Sequence, residues 1–338
     1  MMNPRKAAVI GCGNVGAAVA FALMQKALFS ELVIIDADAE RAQGEAMDLS
    51  HGLSYTASMD IRAGGYGDVS DCALVIITAG AGQRPGETRL ELTGRNMRIL
   101  SSIVSVIRAT PFEGILMIVS NPVDVLTCAA QRLTGYPPGR VIGSGTVLDT
   151  ARLKQLLSER LHVDARSVHA VIIGEHGDSE LPVYSSANVS GVDLSHFCAL
   201  RGYSDPEPML REVLRDVRSS AYDIIRRKGS TSYGIAMAVS RIAESIVRDE
   251  KAVLPVSTML AGEYGLRGLA LSVPCIIGRD GVEAVMEIPL DRGEKQALLL
   301  SADQLRGVLA SVHAGEMGDR DHMPPFGGGK EIHHGIQG

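Results

Sequence analysis

Three residues could carry proton transfer and the binding of an anion: His176, Asp149 and Arg152. His176 lies in a glycine-rich turn, residues 174–178, directly after the apolar run 170–173. An imidazole at a strand end can exchange a proton near neutral pH, although a loop histidine can equally be bonded to the backbone. Asp149 and Arg152 are three residues apart in a helical pattern and share one face, where an exposed ion pair is the usual arrangement. Spacing alone does not show whether Asp149 reaches His176.

A second group of residues is the glycine pattern GxGxxG at residues 11–16, which follows a predicted strand and opens a predicted helix. Its glycines allow a tight turn, close approach of a pyrophosphate and close packing of helix on strand. The helix N-terminus offers N–H groups to the phosphates. Asp36 ends the next predicted strand, where a carboxylate binds the adenosine ribose and repels a 2′-phosphate. The pattern predicts NAD rather than NADP, bound by Gly11, Gly13, Asn14, Val15, Gly16 and Asp36.

A glycine-containing loop at residues 79–89 joins a predicted strand to a long predicted helix. It carries the amide of Gln83 and the guanidinium groups of Arg84 and Arg89. Its composition alone favours an ordinary solvated surface loop. The alternative is a lid, whose small residues allow movement and whose closure brings Arg89 onto a bound ligand.

Continuous apolar runs in the first half predict the strands that position these loops. The runs lie at residues 7–10, 32–35, 74–78, 115–119 and 141–142, with helical patterns at 14–29, 40–49, 89–110 and 123–133. Such runs are typical of parallel strands buried on both faces, and strand–helix–strand repeats form right-handed crossovers. We therefore expect an α/β fold, with a doubly wound parallel sheet forming a Rossmann dinucleotide-binding domain at residues 1–144.

The second half has a different pattern. Helical periodicity is found at residues 146–160, 207–227, 232–248 and 293–311, and strand patterns at 251–264 and 269–288. This mixture predicts an α+β substrate or catalytic domain at residues 145–312. Glycine, proline, histidine and charged residues dominate from His313 onward, which predicts a mobile C-terminal tail, 313–338.

Composition excludes several classes of protein. The 338 residues include 33 basic and 39 acidic side chains, so the net charge of −6 argues against a nucleic-acid or anionic-membrane partner. Beyond the glycine-interrupted N-terminus, no run of 18 apolar residues predicts a membrane span. The five cysteines are scattered without CxxC spacing. This predicts no metal site and no disulfide framework, and it favours the reducing cytoplasm.

Together these motifs resemble the L-lactate/malate dehydrogenase family, and most of all its bacterial L-lactate dehydrogenases. The similarity extends over roughly residues 6–311. Its motifs are GCGNVG at 11–16 with Asp36, QRPGETRL at 83–90, SNPVD at 120–124, VIGSGTVLDTAR at 141–152 and GEHGD at 174–178. The resemblance implies an NAD-dependent oxidoreductase that reduces pyruvate to L-lactate reversibly, in glycolysis and pyruvate fermentation. A malate or other 2-hydroxy acid dehydrogenase, and an inactive NAD-binding regulatory subunit, stay open as alternatives.

The resemblance also implies roles for individual residues. His176 would donate or accept the proton, and Asp149 would orient it and stabilise the imidazolium. Arg152 would bind the substrate carboxylate with two parallel hydrogen bonds, and Arg89 would polarise the carbonyl after lid closure. Asn121 would lie near the nicotinamide and the substrate oxygen, and Thr231 would line the substrate pocket.

Substrate choice is predicted from one position. Malate dehydrogenases of the family carry an arginine six residues before the loop arginine, and this chain has Gln83 there. A neutral amide cannot pair with the second carboxylate of oxaloacetate, and burying that charge unpaired is costly. Arg84 is adjacent, so the prediction depends on the ungapped register from Gln83 to Arg89.

The resemblance implies regulation as well. Many bacterial lactate dehydrogenases bind fructose 1,6-bisphosphate between subunits of a homotetramer through a histidine and an arginine. The corresponding residues here are His169 and Lys154, and lysine keeps the charge but not the planar fork of arginine. A strand histidine and an exposed helix lysine are the simpler interpretation of the same two residues.

Overall fold

A parallel sheet forms the centre of the N-terminal half. In the computed structural model, which describes residues 2–82, 84 and 86–320, its strands are β1 (Asn3–Ile10), β2 (Glu31–Ile35), β3 (Asp60–Ala63), β4 (Cys72–Ile77), β5 (Ile115–Ile118) and β6 (Val141–Gly143). The spatial order is β3-β2-β1-β4-β5-β6. β1 pairs in parallel with both β2 and β4, so that Val9 lies between Ile34 and Ile76. This is the doubly wound order of a dinucleotide-binding domain.

Helices pack on both faces of this sheet, which explains why the strands are apolar throughout. They are α1 (Asn14–Lys26), α2 (Ala39–His51), α3 (Arg89–Arg108) and α4 (Val123–Thr134). The start of α3 is fixed by a capping box, since Thr88 Oγ1 accepts from the Glu91 N–H at 3.2 Å and Glu91 Oε2 accepts from the Thr88 N–H at 2.8 Å. Arg89 is therefore the first residue of this helix.

The C-terminal half mixes helices with short and long strands. Its elements, in chain order, are α5 (Val147–Leu161), β7 (Val168–His169), β8 (Ile172–Ile173), β9 (Leu181–Pro182), β10 (Asn188–Val189), β11 (Val192–Asp193), α6 (Leu194–Leu200), α7 (Glu207–Lys228), α8 (Tyr233–Val247), β12 (Ala252–Ala261), β13 (Arg267–Gly278), β14 (Gly281–Val285) and α9 (Arg292–Arg320). A separate apolar cluster lies between α5 and α7, where Leu153, Leu157, Val213 and Val217 are buried. This cluster fixes the position of α5.

The long strands of the C-terminal half extend the N-terminal sheet. β12 and β13 form an antiparallel hairpin, and β12 also pairs with β6, where Ser257 lies opposite Gly143. The described strands therefore include nine in one sheet, from β14 to β3. The halves also meet where α1 packs on α8, with Lys26 Nζ 2.6 Å from Glu244 Oε2.

The predicted fold class is confirmed: a Rossmann-type core with an α+β second half. The strand β3 was not predicted, because Asp60 and Arg62 interrupt its apolar pattern. The boundary predicted at 144/145 lies between β6 and α5, and the division into two domains stays a prediction.

Helix α9 continues past the predicted 293–311 to Arg320, and residues 321–338 of the predicted tail lie outside the described residues. No helix in the described part is long and apolar enough to cross a bilayer.

Candidate active site

The structure brings His176 and Asp149 into direct contact. Asp149 lies in the first turn of α5 and is 1% exposed. His176 lies in the turn after β8, and its Nδ1 is 2.6 Å from Asp149 Oδ2. The chain can enter this turn because Gly174 adopts a φ of +96°, which favours glycine. The Nδ1 contact leaves Nε2 as the ring nitrogen free to exchange a proton with a ligand.

This contact determines the charge of the histidine. Burial lowers the pKa of His176, but the charge and the hydrogen bond of the Asp149 carboxylate raise it by more. The net effect raises the pKa of His176 from 6.5 to about 9. Burial raises the pKa of Asp149, whereas the charges of His176 and Arg152 lower it, and the net direction is downward. Asp149 is therefore ionised at neutral pH and His176 carries a proton that it can donate.

Arg152 approaches the other oxygen of the same carboxylate. Its Nη1 donates to Asp149 Oδ1 at 2.8 Å, and its side chain is 14% exposed. The ion pair expected from the three-residue spacing therefore exists, but it is buried rather than exposed. A guanidinium has five N–H donors, so Arg152 keeps donors for a carboxylate ligand beside His176.

Asp124 holds the histidine turn in place, a role that the sequence did not indicate. It is buried in the first turn of α4, where Oδ2 accepts from the His176 N–H at 2.7 Å and Oδ1 accepts from Ser272 Oγ at 3.1 Å. Burial raises the pKa of this carboxyl. The available sequence signal was an acidic residue within an otherwise apolar helix start, in the motif at residues 120–124.

Glu180 is a second residue that sequence reasoning missed. It is 3% exposed and offers a carboxylate oxygen within 4.8 Å of ligand atoms of Asp149 and His176. These three residues have the donor types of a metal site. We assign them to acid–base chemistry instead, because Asp149 already binds both the imidazole and Arg152.

The glycine loop has the geometry that a dinucleotide requires. Gly11 has a φ of +96°, and a Cβ on Gly16 would lie 1.8 Å from the Gly11 carbonyl oxygen. At Gly13 an added Cβ would meet no described atom within 4 Å, so the space over the start of α1 is open to a phosphate. Val15 is half-buried in the first turn of α1.

Asp36 lies directly after β2, beside this loop. One of its oxygens, Oδ2, accepts from the Cys12 N–H at 2.7 Å, and Oδ1 accepts from the Asp38 N–H at 3.0 Å. Burial raises the pKa of Asp36, but these hydrogen bonds lower it overall. The carboxylate is therefore charged and fixed in direction.

Asn14 links the cofactor loop to the predicted substrate pocket. Its Nδ2 lies 3.1 Å from Ser230 Oγ, in the segment between α7 and α8 that also contains the half-buried Thr231. Thr231 is thus the neighbour of a residue that contacts the glycine loop.

Arg89 lies near the site but does not contact the His176–Asp149 pair. Its side chain is 72% exposed, and it donates to Asp178 Oδ2 and to the Tyr222 hydroxyl, each at 2.7 Å. Asp178 belongs to the same turn as His176, so the guanidinium is held beside that turn. Gln83 lies outside the described residues.

The loop before Arg89 is tied to Asn121 by one buried amide. Asn96 on α3 accepts from the Ala81 N–H at 2.7 Å and donates to the Asn121 carbonyl oxygen at 2.8 Å. Asn121 itself is exposed, directly before Pro122. Asn96 was not predicted, and an asparagine in a helix has no distinguishing signal in one sequence.

The two residues predicted to bind an effector lie on neighbouring elements. Lys154 is half-buried on α5, and His169 is exposed at the end of β7, which packs against α5. Neither belongs to the cluster around Asp149.

Comparisons with known proteins agree over nearly the whole chain. The family model described as lactate/malate dehydrogenase, NAD binding domain, matches residues 5–143, and the model of the alpha/beta C-terminal domain matches residues 146–315. The L-lactate dehydrogenase of Clostridium perfringens is 46% identical over 307 residues, covering 90% of this chain and 96% of that protein. That of Priestia megaterium is 47% identical over 302 residues, covering 89% and 95%. A ligand-bound crystal structure of the minor L-lactate dehydrogenase from Enterococcus mundtii is 39% identical, with a TM-score of 0.87 and coverage of 91% and 98%.

Proposed function

The chain belongs to the lactate/malate dehydrogenase family, and from this premise we propose that it is an NAD-dependent L-lactate dehydrogenase, which interconverts pyruvate and L-lactate. The observation that carries the proposal is the buried contact of Asp149 with both His176 and Arg152. One carboxylate thereby positions a proton donor and a carboxylate-binding guanidinium side by side. Reduction of a 2-keto acid requires both a proton donor for the keto oxygen and a cation that binds the carboxylate.

The residues of the glycine loop fit NAD. The open space over Gly13 accommodates a pyrophosphate, and the charged Asp36 favours a free ribose hydroxyl over a 2′-phosphate. When bound, the reduced nicotinamide supplies the hydride that reduces the keto carbon. Asn14, Val15 and Asn121 complete the proposed cofactor contacts.

The chain's own residues carry the proton and the charge. Arg152 binds the pyruvate carboxylate through its free N–H donors. His176 donates its proton from Nε2 to the keto oxygen as hydride reaches the carbon, and the product is the hydroxy acid. Asp149 stabilises the imidazolium before this transfer and keeps the ring oriented. In lactate oxidation His176 accepts the same proton.

Arg89 completes the site in the proposed closed state. For this its guanidinium must leave Asp178 and Tyr222 and bind the keto oxygen of the substrate. There its positive charge stabilises the alkoxide that develops on that oxygen. An exposed ion pair such as Arg89–Asp178 contributes only about 0–1 kcal/mol, so the exchange costs little.

The defining experiment measures NADH oxidation at 340 nm with pyruvate and with oxaloacetate. We expect a strong preference for pyruvate, because Gln83 offers no counter-charge to a second carboxylate. Preference for oxaloacetate would identify a malate dehydrogenase with Arg84 as the selecting residue. Inactivity with these and bulkier 2-keto acids, despite NADH binding, would identify a non-catalytic NAD-binding subunit.

We further propose a cytoplasmic homotetramer that serves pyruvate fermentation at the end of glycolysis and is activated by fructose 1,6-bisphosphate. All five cysteines are buried free thiols, which suits a reducing compartment. The exposed His169 and the cationic Lys154 support phosphate binding. Adding the bisphosphate should lower the KM for pyruvate in the native protein but not in Lys154→Ala, while light scattering measures the mass of the assembly.

A further inference from the structure

Glu180 places a third ionisable group against the catalytic pair. It directly precedes β9, at the end of the turn that contains His176, and its side chain is buried. Its carboxylate lies within 4.8 Å of ligand atoms of both Asp149 and His176. Two buried carboxyl groups this close together repel each other when both are ionised, so one of them is expected to hold a proton.

The surrounding charges decide which carboxyl holds that proton. Asp149 has His176 on one oxygen and Arg152 on the other. On α7, Arg218 donates to the main-chain carbonyl of Glu180 rather than to its carboxylate. Burial and the negative charge of Asp149 raise the pKa of Glu180 to about 8, whereas the pKa of Asp149 is lowered. The proton therefore belongs to Glu180.

We propose that Glu180 is a positioning residue that holds a proton in the resting enzyme, so that His176 faces the charge of one carboxylate, Asp149, rather than of two. This inference rests on the proposed dehydrogenase activity. Glu180 acts through the charge that it places, or does not place, beside Asp149 and His176. When it loses its proton in alkaline solution, the second negative charge stabilises the imidazolium and keeps His176 protonated to higher pH.

The test is the pH profile of kcat/KM for pyruvate in the native enzyme and in Glu180→Gln. Glutamine keeps the size and offers an N–H donor in place of the carboxyl O–H, but it can never become charged. We expect the two profiles to coincide within twofold below pH 7. The alkaline limb of the variant should fall earlier, by about 0.5–1 pH unit, because His176 loses the charge that held its proton.

A matched control is Glu212→Gln, which removes one carboxylate from the solvent-facing side of α7, where it pairs with Arg160. Its profile should not move. A tenfold loss for Glu180→Gln at pH 6.5 would mean that Glu180 is already ionised there, and an unmoved alkaline limb would mean that it is not coupled to His176. Either result overturns the proposal.

A second measurement needs neither a variant nor a substrate. In histidine-labelled native protein, the NMR shift of the His176 ring should titrate in two steps, one of them from Glu180. A single step would contradict the inference. Two steps in a protein that does not reduce pyruvate would uphold the coupling while rejecting the proposed activity.

Discussion

At the scale of single residues, the site depends on one carboxylate, that of Asp149, which contacts both His176 and Arg152. Asp149 gives Oδ2 to a histidine 27 residues away in the chain and Oδ1 to an arginine on its own helix. Because all three side chains are at least three-quarters buried, their relative positions are fixed before a substrate binds. The chemistry can therefore be tested one side chain at a time.

Replacing His176 removes the proposed proton donor and does not alter the glycine loop at residues 11–16. His176→Asn should retain NADH affinity within about twofold, since Gly11–Gly16 and Asp36 lie elsewhere, and should lower kcat for pyruvate roughly a hundredfold or more. Stopped-flow fluorescence of bound NADH separates binding from turnover. Near-normal turnover would remove His176 from the mechanism.

Gln83 should determine which keto acid is accepted. Gln83→Arg supplies a counter-charge for a second carboxylate, so we expect the ratio of kcat/KM for oxaloacetate over pyruvate to rise by several powers of ten. The matched control is Arg84→Gln, which alters a neighbouring exposed side chain and should leave the ratio within a factor of about three. If the control rather than Gln83→Arg changes the ratio, the loop register is shifted by one residue.

At the scale of elements, the histidine turn is held by helices that are distant in the sequence. The carboxylate of Asp124 on α4 accepts a hydrogen bond from the His176 N–H. The hydroxyl of Ser301 on α9 accepts one from the Glu175 N–H at 2.9 Å. Gly174 also bridges to Ser272 on β13. Three elements thus fix the position of one glycine-rich loop and of the His176 that it carries.

Removing Asp124 should loosen this turn. Asp124→Ala leaves the partly buried His176 N–H and the buried Ser272 hydroxyl without their acceptor, which should cost about 1–3 kcal/mol in the free energy of unfolding. Urea denaturation measures this loss. Asp48→Ala, at an exposed position on α2, should change stability by less than about 0.5 kcal/mol. Equal stability of the two variants would show that Asp124 does not support the turn.

The elements of this fold were easier to predict than the contacts between them. Apolar runs and helical spacing identified β1, β2, β4, β5 and α1 to α4, because burial on both faces of a sheet leaves a local pattern. Glu180 left no such signal: one acidic residue in a turn looks the same whether it is solvated or buried. Its role depends on Asp149, which comes near only because β8, the partner strand of β9, packs against α5. Likewise, no spacing rule could place Arg89 on Asp178 and Tyr222.

At the scale of the whole molecule, the NAD-binding and catalytic regions share one structural body. The β6–β12 pairing joins them within a sheet, and α1 packs on α8 with the Lys26–Glu244 ion pair between them. We therefore expect the two regions to unfold together. Cooperative unfolding follows when most of the core is shared, and the larger apolar cluster contains residues of both regions, whereas only the cluster between α5 and α7 lies in one.

Buried cysteines in both regions provide the measurement. Cys72 on β4 and Cys275 on β13 are fully buried, so thiol labelling in increasing urea reports the opening of each region. The two labelling midpoints should agree, and Lys26→Ala should move both by the same amount. Labelling of Cys275 at a distinctly lower urea concentration than Cys72 would show that the regions unfold independently.

The shared sheet also limits how such a protein can be recombined. A crossover between related genes at the loop from Gly143 to Val147 would combine the N-terminal half of one protein with the C-terminal half of another. In the chimera β6 would pair with a β12 from the other protein, and α1 would pack on an α8 from the other protein. Chimeras joined there should be insoluble far more often than chimeras that exchange only the loop at residues 79–89. New substrate specificities are therefore easier to obtain by grafting that loop than by exchanging halves.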